Sequence, residues 1–81
     1  MTVSGIVVSF VADPLSASRA RQAIESDPRF SPGVSRGARL ALAMDTPSPA
    51  EDEIALHWLR DLSGVTHVDV VFVALKEHAS C

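Results

Sequence analysis

The sequence predicts an α+β fold in the order β-α-β-β-α-β. Three observations carry that expectation. Two Pro-initiated helix starts, Asp13-Pro14 and Ser48-Pro49, divide the chain into three parts. Apolar runs rich in Val, Ile and Phe stand before the first helix and after the second. Between the helices, two strand-like segments meet at Gly37. The arrangement is the split-βαβ or ferredoxin-like pattern: a four-stranded antiparallel sheet with two helices on one face. In it the first and third strands are central, and the second and fourth are edges.

Each element has its own reason. Ser4 to Ala12 has Val, Ile and Phe and no helix former before Ala12, so it reads as a largely buried strand. Asp13 is the expected N-cap of a helix over Pro14 to Ser26. Its stripe is Leu15, Ala17, Ala20, Ala23 and Ile24, with Arg19 and Arg21 on a solvated face. Asp27-Pro28 ends it. Phe30 to Val34 is a weak strand, and Pro32 confines it to an edge. Ser35-Arg36-Gly37 is the expected turn. Arg39 to Asp45 alternates, with Leu40, Leu42 and Met44 on one side and Arg39, Ala41, Ala43 and Asp45 on the other. The Ala residues leave a helical alternative open there. Ser48, Pro49 and Glu51 form a capping box, followed by a buried stripe of Ile54, Ala55, Trp58, Leu59 and Leu62 and by Gly64 as C-cap. Acidic Glu51, Asp52 and Glu53 suit the helix dipole. Thr66 to Leu75 is the last strand, with Val68, Val70 and Phe72 on one face and His67, Asp69, Val71 and Val73 on the other.

The 81 residues make one domain, 1–81, with a core expected over 3–75 and a polar tail over 76–81. A chain this short buries roughly 60–65% of its unfolded surface. An apolar fraction of 47% is ample for a core. The net charge of −3 argues against a general nucleic-acid binder and tolerates a basic partner. The single cysteine, Cys81, allows no internal disulfide. No run reaches the length of a membrane span, and no secretory leader is expected, so the expectation is a cytoplasmic protein.

Two helices cover one side of the sheet. Ile6, Val8 and Phe10, the larger alternates, are assigned to that side. Gly5, Val7, Ser9 and Val11 then face out. With Ala41, Ala43, Asp45, Asp69, Val71 and Val73 they form a shallow patch of small residues, rimmed by Asp45, Asp69, Arg39 and His67. A contiguous apolar patch of this kind usually means an interface, with a partner or with a second copy as a weak homodimer; the alternative is surface valines without a role.

Catalytic chemistry is thinly represented, and no enzyme is expected. RNA-recognition motifs of this topology stack bases on open-face aromatics, whereas Phe10 and Phe72 are assigned to the core side. Acylphosphatase-like enzymes need an Asn, which this chain lacks. Copper chaperones carry Cys-x-x-Cys in the first loop, where this chain reads "ADPLSAS". Ser9, His67 and Asp69 do not make a triad, because His67 and Asp69 sit side by side on one strand. His57, His67 and His78 have no metal-ligand spacing.

The opening "VSGIVVSFVADP" and the closing "LRDLSGVTHVDVVFVAL", with Gly64-Val65 at the turn, resemble the NapD family of small cytoplasmic chaperones for periplasmic nitrate reductase. The resemblance runs from Val3 to about Leu75 and includes the Gly37-Ala38-Arg39-Leu40 entry into the third strand. Pro32 and the proline-bearing entry to the second helix depart from it. The resemblance implies a chaperone without catalytic activity or cofactor. Such proteins bind the twin-arginine signal peptide of the nitrate reductase catalytic subunit on the open sheet face and delay export until the molybdenum cofactor is loaded. On that reading the peptide lies on Val7, Ser9, Val11, Ala41, Ala43 and Val71; the residues themselves, and not the resemblance, add the expectation that its arginines pair with Asp45 or Asp69. An ACT-type regulatory domain has the same element order, but its first strand-helix loop usually carries a glycine, and Ala12-Asp13-Pro14 does not. A non-catalytic subunit of a larger complex is the third alternative.

Overall fold

The computed structural model describes residues 2–75, and the side chains of residues 3–71. The expected tail over 76–81, with Cys81, lies outside the described residues. The elements are β1 (Thr2–Phe10), α1 (Pro14–Glu25), β2 (Phe30–Arg36), β3 (Arg39–Thr46), α2 (Pro49–Asp61) and β4 (Val65–Leu75). The strands form one antiparallel sheet in the order β2-β3-β1-β4. The central and edge strands are those the order of elements requires.

Register explains the two faces. Ile6 pairs with Leu42 and Val8 with Leu40, and all four are buried. Ser4, Phe10, Met44 and Thr46 continue this side. Val7 pairs with Ala41 and Gly5 with Ala43, one residue out of phase and on the opposite face. The core joins β1 and β3 to Phe30, to Ala20 and Ile24 of α1, and to Ala55 and Leu59 of α2. Phe30 stacks on Trp58 with ring centroids 5.9 Å apart, fixing α2 over the start of β2. The buried Thr46 hydroxyl bonds the Asp52 carboxylate, so the end of β3 is tied to the first turn of α2.

Both helices start as the residue order dictates. Asp13 accepts from the Ser16 amide at 3.1 Å and from the Ser16 hydroxyl at 2.7 Å. These two bonds, the hydroxyl's first, hold its carboxyl below the usual carboxylate range. Ser48 accepts from the Glu51 amide at 3.3 Å.

Several side chains sit differently from their expected places. Leu15 and Ile54 are 60% and 55% exposed. The buried lines run through Ala20 and Ile24 on α1, and through Ala55 and Leu59 on α2. Leu15 is five residues before Ala20, and Ile54 one before Ala55, so both project away from those lines at about 100° per residue. Arg21 does not stand free in solvent. Its guanidinium lies 4.6 Å above the Phe10 ring and donates to Ser35 Oγ at 2.8 Å and to the Gly37 carbonyl at 3.0 Å. It therefore ties α1 to the β2–β3 hairpin. The strand β2 runs on through Ser35 and Arg36, so the turn is shorter than expected and Gly37, at φ 55°, supplies its left-handed residue.

Gly64 is not the C-cap of α2; Leu62 holds that position. Gly64 has φ 99° two residues later, and a Cβ there would stand 2.5 Å from the Ser16 carbonyl oxygen. Only glycine lets the chain pass that close to α1. Its carbonyl accepts from the Val11 amide at 2.9 Å, joining the end of β1 to the entry of β4.

Candidate functional site

No helix among the described residues is long and apolar enough to cross a membrane. No group of three or more His, Cys, Asp or Glu among the described residues is placed to hold a metal. What remains uncovered is the second face of the sheet.

That face is built from the out-of-phase residues of the two central strands. Gly5, Val7, Ala41, Ala43 and Val71 line a shallow hollow of ≈ 240 Å³, with Ile6 and Leu42 contributing from the strands beneath. A second hollow of ≈ 240 Å³ adjoins it across Val7 and Ala41, and is closed by Val34, Arg36 and Arg39. Ala41 and Val7 are paired across the strands and shared by both hollows, so they mark the centre of the face. The small side chains there leave the surface low enough for another backbone to approach.

Most of the expected surface residues are brought together. Val7, Ala41, Ala43 and Val71 lie in one patch, and Ser9 continues the same side opposite Arg39 and His67. Asp69 stands opposite Val7, with its carboxylate 3.1 Å from His67 Nε2. Since a carboxylate only accepts, His67 holds its hydrogen on Nε2 toward Asp69. The pair bonds side by side along one strand, which is not the relay order of a triad. Asp45 is exposed at the far end, opposite Val3. Val11 is different: β1 ends at Phe10, so Val11 belongs to the loop and not to the strand face.

Strict alternation also fails along β4. Ile6 pairs with Val70 and Gly5 with Phe72, which leaves Val71 as an extra residue in a bulge. A second irregularity leaves Thr66 unpaired between Val65 and His67. Val71 is 62% exposed on the open face, and Val70, expected in the core, is 42% exposed. Beyond the bulge, Phe72 opposes the open-face residue Gly5 and Val73 opposes the covered residue Ser4. The side chains of Phe72 and Val73 lie outside the described ones.

Val34 and Arg36 add to the expected face. Pro32 pairs with Leu42 and Ser35 with Leu40, so Gly33 and Val34 bulge out of β2. Val34 is thereby 68% exposed beside Ala41. The cue in the sequence is Pro32-Gly33, a pair that interrupts a ladder. A larger hollow, ≈ 730 Å³, lies on the outer side of α2, lined by Pro49, Ala50, Glu53, Ile54 and His57. It is one flank of a single helix, without the two-strand floor of the sheet face.

The fold and the uncovered face together define a split-βαβ domain with the helices on one side of the sheet and a low apolar surface on the other. Among solved structures, the chain is similar to the solution structure of the E. coli Tat proofreading chaperone protein NapD. The TM-score is 0.74 at 18% identity, over 96% of this chain and 82% of that one. The chain therefore has a NapD-like fold. No family model matches the sequence, and no curated protein matches it.

Proposed function

We propose that the protein is a NapD-like cytoplasmic chaperone. It binds the twin-arginine signal peptide of a periplasmic nitrate reductase catalytic subunit on the open sheet face and delays export until the cofactor is loaded. The observation that carries this reading is the low floor made by Gly5, Val7, Ala41 and Ala43 across the paired central strands. Such a floor takes a helix at short range, because no large side chain holds its backbone off. The likeness of fold to a Tat proofreading chaperone, over nearly the whole chain, supports the same reading. The peptide's apolar stretch lies on Val7, Ala41, Ala43 and Val71, near Ser9, and its arginines pair with Asp45 or Asp69. Val11, in the loop beyond β1, borders the surface. No catalytic step and no resident cofactor belong to this reading.

Calorimetric titration with a synthetic twin-arginine signal peptide of a nitrate reductase catalytic subunit tests it. The expected result is saturable one-to-one binding that is lost in Val7→Asp and in Ala43→Asp, at a half-buried and an exposed position, with circular dichroism of each variant showing the fold kept. Heat-silent mixing, with no competition in a second assay, would overturn it and favour an ACT-type regulatory domain. In that case a stable pair of chains in solution is expected.

A further inference from the structure

The charges on the open face are not scattered. Arg36 and Arg39 are register partners at the hairpin end of the sheet, with Ser9 opposite Arg39 and Val34 and Val7 beside them. Asp45 stands at the other end, opposite Val3. Arg39 and Asp45 are about 20 Å apart along β3, at ~3.3 Å per residue. Val7, Ala41 and Ala43 lie between them. Arg29 is next to Asp45 through the bond from the Asp45 amide to the Arg29 carbonyl, but it does not neutralise it. The Arg29 guanidinium is turned to Asp27 at 2.7 Å and lies 5.4 Å from the Trp58 ring on the covered side. Asp69 is a poorer anchor for a cation. It is already engaged by His67, and it stands opposite Val7, only two residues of β1 from the Ser9–Arg39 pair. A peptide anchored there would have little apolar floor left before the basic end.

Resting on the reading above, we infer that the bound peptide has one polarity: its N-terminal arginines sit at Asp45, and the C-terminal end of its helix sits at Arg36 and Arg39. Two independent charges agree on this direction. The arginine pair needs the acidic end. The C-terminal carbonyls of a helix carry about half a negative charge and need the basic end. About 13 helical residues at ~1.5 Å each cover the distance between them.

The test places a nitroxide label on either end of the same twin-arginine peptide and reads amide signal loss in the ¹⁵N-labelled protein. An N-terminal label is expected to bleach Val3 and Asp45 first, and a C-terminal label Ser9, Arg36 and Arg39. The opposite pattern, or equal bleaching from both labels, overturns the polarity and leaves the chaperone reading standing. No bleaching of any open-face amide at saturating peptide overturns both. As a second measure, Asp45→Lys is expected to weaken binding about tenfold at low salt and Asp69→Lys less than about threefold. Equal losses overturn the choice of Asp45.

Discussion

Two sets of residues alternate along β3 and have opposite fates. Leu40, Leu42 and Met44 are buried under the helices, while Ala41, Ala43 and Asp45 stand on the open side. The strand and its hydrogen bonds are the same for both sets. The difference is side-chain size: the covered side is filled with large branched or flexible chains, and the open side is kept low. One side therefore supplies stability and the other leaves room for a partner.

The largest effect is expected where the covered side is hollowed out. Leu42→Ala should cost about 3 kcal/mol of unfolding free energy, while Ala43→Ser, its neighbour on the open side, should change it by no more than about 0.5 kcal/mol. Urea denaturation measures both, and similar values for the two would erase the distinction between the faces. Gly64→Ala comes next, at about 2 kcal/mol, since a Cβ meets the Ser16 carbonyl and φ is 99°. Gly37→Ala, with φ 55° and nothing within 4 Å of its Cβ, should cost less. Thermal melts of the two variants compare a close approach with a turn.

The smallest effect is electrostatic. Arg29 donates to Asp27 from its amide, Nε and Nη2, and the side-chain bonds above all hold the Asp27 carboxyl below its ordinary value. A folded-state value below the unfolded one means that this contribution is present above about pH 4 and is lost as pH falls through the folded value. Asp27→Asn should flatten that acid limb and leave the pH dependence near neutrality as it was. Urea midpoints across the acid range measure it. An unchanged acid limb would show that other carboxylates govern it.

Much of this was legible in the chain. Asp13-Pro14 and Ser48-Pro49 announce both helices, and the alternation of Leu40, Leu42 and Met44 with small residues announces the two faces of β3. These signals are local, because capping and alternation depend on neighbours within a few residues. The bulge at Val71, the protrusion of Val34 and the anchoring of Arg21 over Phe10 were not legible. Each depends on a partner strand or helix far along the sequence.

By itself the sequence determined the order of elements, the starts of both helices, and the small residues that keep one side of the central strands low. Only the tertiary structure decided which of Val70, Val71 and Val34 reach the open face, that Gly64 serves close packing and not helix capping, and that Arg36 joins Arg39 at the end of the surface away from Asp45. The physical reason is register. A bulge shifts every later side chain to the other face, and its position is chosen by pairing between strands, not by the residues of one strand alone.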